Sequence, residues 1–205
     1  MVDKIIEKYK NYTPYINGWN NMKRAAVAVL LVDIEGDTKI VFQVRAFHMR
    51  SQPGDISFPG GKIEDNEDPK ETVKREVCEE LGLNKEDFEI VTDLDILVTH
   101  YGLIVHPFLG YIKNYNNISI NKDEVDHIFL ASINELIKVN PINDLSKINV
   151  ERNKNFPYHL IKDGENYKFK EGLYKSLFYN YKNYTIWGMT ALILENFLNY
   201  IKEEV

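Results

Sequence analysis

Three glutamates, Glu76, Glu79 and Glu80, stand at spacing i, i+3 and i+4 along the chain. If that stretch is helical, all three carboxylates project from one face. Like charges so placed destabilise an isolated helix by about 0.2–0.5 kcal/mol per pair, so the face calls for a counter-charge. A hard divalent cation supplies one, because Mg²⁺ and Mn²⁺ prefer oxygen ligands and often bridge protein carboxylates to phosphate oxygens. Standing alone, three such glutamates are more often the solvated side of a surface helix. Here they follow the loop Phe58-Pro59-Gly60-Gly61. Glycines in such a loop bring backbone close to a metal or phosphate where a side chain would block the approach.

From Gly61 the chain reads GKIEDNEDPKETVKREVCEELGL. Gly61, Glu67, Arg75, Glu76, Val77, Glu79, Glu80, Gly82 and Leu83 fill every fixed position of the Nudix box, G-x5-E-x7-R-E-U-x-E-E-x-G-U, where U is a bulky aliphatic residue. The chain therefore resembles a Nudix hydrolase. The resemblance implies an α/β (α+β) fold, the α/β/α sandwich with a mixed β-sheet between helices. It implies Mg²⁺ or Mn²⁺ as cofactor and cleavage of a diphosphate linked to another moiety. Glu76, Glu79, Glu80 and a carbonyl at Gly60 would hold the metal, with Gly61, Glu67 and Arg75 in support. Arg75 is expected off the ligand face, paired with Glu67 and bracing the loop against the helix. The same glutamates would be catalytic, joined by Glu124 in NKDEVDHIFL, where many relatives place an extra acidic residue. Glu124 is as readily a surface carboxylate. Glu76 is the preferred base, since helix-held groups are better positioned than loop-held ones.

The segment before the box narrows the substrate. VFQVRAFHMRSQPGDISFPGG, from Val41, resembles the coenzyme A pyrophosphatase signature L-L-T-x-R-[SA]-x3-R-x3-G-x3-F-P-G-G. Arg45, Ala46, Arg50, Gly54, Phe58, Pro59, Gly60 and Gly61 match, whereas Val41, Phe42 and Gln43 replace the opening L-L-T. The two aliphatic positions stay apolar, and the threonine hydroxyl is lost. Coenzyme A carries a 3′-phosphate besides its diphosphate, so its pocket needs fixed positive charge, and Arg45 and Arg50 supply guanidinium groups suited to phosphate oxygens. Arg45, Arg50, Gly54 and Phe58 are thus the expected substrate-binding set, each arginine having a surface ion pair as its alternative. The resemblance implies hydrolysis of coenzyme A to 3′,5′-ADP and 4′-phosphopantetheine. The competing readings are a pyrophosphatase for ADP-ribose or NADH, and a catalytically silent ligand sensor, which would typically lack box glutamates.

The elements that position these residues follow from pattern. Asp68 is a good N-cap, Pro69 suits the first helical position, Glu71 completes a capping-box-like pair, and Gly82 ends the helix. Val73, Val77 and Leu81 form its core-facing stripe. Ala25 to Ile34 is nearly all apolar and predicts a strand buried on both faces, with Lys39 to Arg45 as its neighbour. Residues 46–66 read as one long loop. Phe88 to Val98 and Leu103 to Ile112 predict strands, and Ser132 to Val139 a short helix. The polar stretch 140–155 shows no pattern. Tyr158 to Ile161 and Lys168 to Leu177 are candidate strands, and Gly188 to Tyr200 is an amphipathic helix. The expected organisation is one domain over 1–205, with an N-terminal helical extension over 1–22, the box at 61–83 and a C-terminal helix over 184–205.

Composition sets outer limits. The chain of 205 residues is 44% hydrophobic and 27% charged, values close to those of globular proteins. A net charge of −6 disfavours a broad nucleic-acid footprint, leaving a small molecule as the expected partner, and oligomeric state is open. No apolar run reaches the roughly 18 residues that span a bilayer, so no membrane is expected. The single cysteine, Cys78, fits a reducing compartment and reads as packing rather than nucleophile. His100 and His106 lack ligand spacing and read likewise. A charged N-terminus and the ending KEEV match neither a secretory nor a peroxisomal address, so the expected location is cytoplasmic.

Overall fold

The structure, a computed structural model, describes residues 1–203. In chain order its elements are α1 (Val2–Tyr9), β1 (Lys23–Ile34), β2 (Asp37–Arg45), β3 (Ile56–Ser57), β4 (Gly60–Lys62), α2 (Pro69–Leu81), β5 (Phe88–Asp93), β6 (Leu97–Val98), β7 (Leu103–Ile112), β8 (Val125–Ser132), α3 (Ile133–Leu136), β9 (Ile142–Ile148), β10 (Gly172–Tyr181), β11 (Tyr184–Trp187) and α4 (Gly188–Glu203). The central sheet is mixed. β1 runs parallel to β7 along one edge and antiparallel to β2 and β4 along the other. β2 leaves β1 after Ile40 and continues between β8 and β3, so β4 occupies the part of the β1 edge that β2 vacates. That split is where the segment between β2 and α2 enters the sheet.

Two cores sandwich this sheet, and β1 supplies both by alternation. Ala26, Ala28, Leu30 and Val32 meet Val73, Val77 and Leu81 of α2, the two alanines letting the helix sit close. Val29, with Phe42 and Phe129, faces Ala191, Leu194 and Leu198 of α4. A second, three-stranded sheet in the order β11-β10-β9 packs beside α4 on this same side, through Leu177, Tyr179, Tyr181 and Ile186. The fold is therefore α+β, a mixed sheet between helices, with an added small sheet in one outer layer.

Several expectations give way. Residues 46–66 are interrupted by β3 and β4, which pair with β2 and β1. The span 88–98 breaks into β5 and β6 around an irregular turn, and the helix expected over 132–139 is a single turn. Tyr158–Leu160 is a 3-10 turn rather than a strand, while the unpatterned 140–155 contains β9. β10 begins at Gly172 and continues to Tyr181. The C-terminal helix starts at Gly188, because 184–187 form β11, and residues 204–205 lie outside the described ones. In the N-terminal extension only Val2–Tyr9 is α-helical, and beyond it Tyr15 stacks on His106 with its hydroxyl 3.0 Å from Nε2. Glu71 makes no capping box, since its carboxylate pairs with Lys74 at 2.6 Å, and Asp68 alone caps α2 through Oδ1 to the N–H groups of Lys70 and Glu71.

Candidate active site

α2 presents Glu76, Glu79 and Glu80 on the side away from its core stripe, towards the split between β2 and β4. Glu80 is only 2% exposed. Its Oε2 accepts from Gly60 N–H and its Oε1 from Gln43 Nε2, both at 2.8 Å. Burial pushes its carboxyl up to about 7 against the pull of those two donors, and the Glu76 and Glu124 charges add to the rise. Burial also raises Glu76, which Arg75 opposes and Glu79 and Glu124 reinforce. Glu79 remains on the surface.

Both loop glycines are needed for packing reasons that differ from the sequence expectation. Gly60 has φ +147, and a Cβ there would stand 2.2 Å from the Ala26 carbonyl oxygen, so the close approach is to β1. The Gly60 group whose partner is defined is its N–H on Glu80. At Gly61 a Cβ would stand 2.4 Å from the Glu76 carboxylate, so this glycine makes the space that Glu76 fills.

Arg75 holds Glu67 with two bonds, Nε to Oε1 at 3.0 Å and Nη2 to Oε2 at 3.1 Å, which keeps the Glu67 carboxyl down at about 2. It does not stay off the acidic face as the sequence reading had it. Nη1 reaches Glu76 at 2.8 Å and Glu79 at 3.0 Å, because the long side chain spans from the flank of the helix to its i+1 and i+4 neighbours.

Glu124 is brought in by the chain that follows β7. Ser119 N–H and Asn121 N–H bond to the last carbonyls of α2, those of Leu81 and Glu80, and Glu124 O accepts from Ala46 N–H at 2.9 Å. Gly82 permits this seam, since a Cβ at its positive φ would stand 2.2 Å from Ser119 O. Its charge acts on both Glu76 and Glu80.

The proposed substrate residues divide. Arg45 lies at the end of β2 with a buried Nε that meets no acceptor among the described residues, and Arg50 is exposed in the following loop. Among the described residues neither arginine forms an ion pair. Gly54 shapes the turn, with φ +75 and Phe47 where its Cβ would be. Phe58 is a correction: at 2% exposure it stacks on Phe42 at 5.0 Å and packs in the core. Cys78 packs on the α2-side core with its thiol raised by burial. The residue that sequence reasoning passed over is Gln43, read only as a lost threonine. The signal was available: on a strand of period two, Gln43 shares the α2-facing side with buried Val41.

Among the described residues no three acidic, histidine or cysteine side chains converge as they stand on one ion position. The donor set nonetheless fits a hard divalent cation: carboxylate oxygens alone, Glu80 buried and Glu76 half-buried, both raised by burial and by neighbouring carboxylates, and a glycine cradle that admits Glu76. A groove of about 780 Å³ lies elsewhere, between Leu94, Leu97 and Leu109 and the α4 residues Leu192, Ile193 and Phe197. It contains none of the glutamates, and the polar chemistry of the α2 site outweighs its size.

Residues 22–175 match the NUDIX domain family. The chain belongs to the Nudix family. Nudix hydrolase 3 of Caenorhabditis elegans is 29% identical over 184 residues, 88% of this chain and 74% of that protein. Nudix hydrolase 15, mitochondrial, of Arabidopsis thaliana is 31% identical, covering 84% of this chain and 56% of its own length. The peroxisomal coenzyme A diphosphatase NUDT7 of Mus musculus is 31% identical over 109 residues, 53% of this chain and 46% of that protein. The chain thus spans about half the length of these last two Nudix relatives. An Ap4A hydrolase of C. elegans superposes with a TM-score of 0.47 at 19% identity, over 57% of this chain and 84% of that one.

Proposed function

We propose that this Nudix chain hydrolyses a nucleotide diphosphate, and that coenzyme A is the substrate its residues suit best. The observation that carries the reaction class is the buried Glu80 beside the half-buried Glu76, with Glu79 and Glu124 near them at the split in the sheet. Glu76, Glu79 and Glu80 would hold Mg²⁺ or Mn²⁺. Such an ion, when bound, neutralises diphosphate oxygens and makes water a better nucleophile near neutral pH. Gly60 N–H and Gln43 fix Glu80, while Arg75 ties Glu76 and Glu79 to the Glu67 loop. A carboxylate takes the proton of the attacking water as the P–O bond to the leaving phosphate breaks. Glu76 is the preferred base because α2 holds it rigidly, and Glu124 is the alternative on the loop.

The substrate assignment is supported by Arg45 and Arg50, whose guanidinium groups have no acidic partner among the described residues and so are available for phosphate. The coenzyme A diphosphatase relatives point the same way.

The test is hydrolysis of coenzyme A, dephospho-coenzyme A, ADP-ribose and NADH with Mn²⁺, products identified by mass. Coenzyme A should be turned over fastest, giving 3′,5′-ADP and 4′-phosphopantetheine. Arg50→Ala should raise KM for coenzyme A by about 10- to 100-fold, and less for dephospho-coenzyme A, the worth of one charge-assisted phosphate contact. Faster turnover of ADP-ribose or NADH would replace the substrate. Failure to cleave any of the four would leave a ligand sensor.

A further inference from the structure

Gln43 is 1% exposed, and its amide is divided between one used group and one unused group. Nε2 donates to Glu80 Oε1 at 2.8 Å, while Oε1 is buried and meets no donor among the described residues. Directly across the β2–β3 pair stands Ser57, whose Oγ is also buried and unpartnered. Two orphaned oxygens on one rung, next to a buried carboxylate, are an expensive arrangement that an apolar pair at 43 and 57 would avoid. A packing role therefore does not account for them.

The geometry at Glu80 supplies a reason. Gly60 N–H takes Oε2 and Gln43 takes Oε1, one donor on each oxygen, so the rotation of the carboxylate is fixed while each oxygen keeps a free lone pair. Threonine, which the coenzyme A pyrophosphatase signature carries at this position, is two bonds shorter and would not span the same gap. Mg²⁺ retains several of its waters when bound by carboxylates, and the hydrogens of those waters need acceptors. Gln43 Oε1 and Ser57 Oγ are acceptors in the right neighbourhood with nothing else to bind.

We propose that Gln43 is a positioning residue for Glu80: its N–H fixes the carboxylate with free lone pairs open to a cation shared with Glu76, and its Oε1, with Ser57 Oγ, receives hydrogens of the waters that accompany that cation. This rests on the reading of Glu76, Glu79 and Glu80 as the cation site.

The experiment is Mn²⁺ binding to the intact protein without substrate, followed by the electron paramagnetic resonance signal of free Mn²⁺. Gln43→Met keeps the length of the side chain and removes both polar atoms. It should weaken Mn²⁺ binding by about 10- to 100-fold, the usual effect of losing an outer partner of a ligand. Ser57→Ala should weaken it less. Adding Gln43→Met to Glu80→Gln should cost much less than Gln43→Met alone, since the part of Gln43 that acts through Glu80 is already lost and only its contact to the waters remains. Should the apolar variant fail to fold, Gln43→Asn, which holds its amide one carbon short of Glu80, carries the same expectation. A Gln43 variant that melts lower but binds Mn²⁺ like wild type, while Glu80→Gln binds weakly, overturns the proposal and leaves the cation site standing. Wild-type binding by Glu80→Gln overturns the cation site itself.

Discussion

The two sheets are held together in different ways. Around the site, backbone meets backbone at Gly60, which lies on Ala26, and at Gly82, which admits Ser119, each at a separation that excludes even a methyl group, while Gly61 leaves room for the Glu76 side chain. The small sheet of β9, β10 and β11 has no such points. It adheres through one face, where Leu177, Tyr179, Tyr181 and Ile186 are buried, and leaves β9 exposed along nearly its whole length. A few bonds cross from its layer to the main sheet, among them Ser132 N–H to the Tyr181 hydroxyl and Tyr184 with His127. At Gly60 and Gly82 the first region tolerates no change of shape, because the neighbours there are main chain and cannot rotate away. The second tolerates change wherever side chains point outwards. Rigidity belongs where a carboxylate must be held to a fraction of an ångström.

The sharpest way to break this comparison is Gly60→Ala. The added Cβ meets the Ala26 oxygen at 2.2 Å and Val27 Cα at 2.6 Å, at a φ of +147 that side chains rarely adopt. Backbone strain and overpacking together should cost about 3–6 kcal/mol. Urea denaturation measures it, and a loss below about 1 kcal/mol would mean that the β1–β4 seam yields and that the site half is not rigid. Leu177→Ala probes the anchored face of the small sheet. Leu177 is fully buried beside α4, so its truncation should cost about 2–5 kcal/mol by the same measurement, the range for buried leucines. Hydrogen exchange should then show β9 and β10 opening while β1 and β7 stay protected. Uniform loss of protection would show that the two sheets unfold as one unit.

This difference also explains what could be read from residues alone. β1 is legible because a strand buried on both faces must be apolar throughout, and α2 because its core stripe, N-cap and C-cap glycine are all local signals. β9 has no such constraint: Ile142-Asn143-Asp144-Leu145-Ser146-Lys147-Ile148 is a strand because β10 pairs with it, and no face is buried enough to impose a period. β10 did carry a signal, the alternation Leu177, Tyr179, Tyr181, which runs past the point where the apolar run was judged to end. In the site, the glutamates and the Glu67–Arg75 pair lie within one local motif. Phe58 reads as a substrate residue because it matches the signature around the glycine loop, and only burial shows it to be core. Gln43 contacts Glu80 across 37 positions, a relation set by strand pairing that no local spacing encodes.

The smallest expected effect lies at Ile142. It is 60% exposed and starts β9, in register with Phe178, which in turn faces Trp187 with rings nearly parallel at 6.0 Å. A large apolar residue so exposed gives little burial energy, and threonine keeps the β-branched shape that a strand prefers. Ile142→Thr should therefore change stability by no more than about 0.5 kcal/mol and leave turnover unaltered. The same substitution tests whether this row is bare in solution. If it cost more than about 1.4 kcal/mol, and the loss shrank on dilution, the row Ile142, Phe178 and Trp187 would be covered by a second molecule. A loss of that size independent of concentration would mean instead that the row shields itself by collapsing side chain on side chain. In either event the loosely held sheet would have a second anchor on its outer face, and the contrast with the site half would narrow.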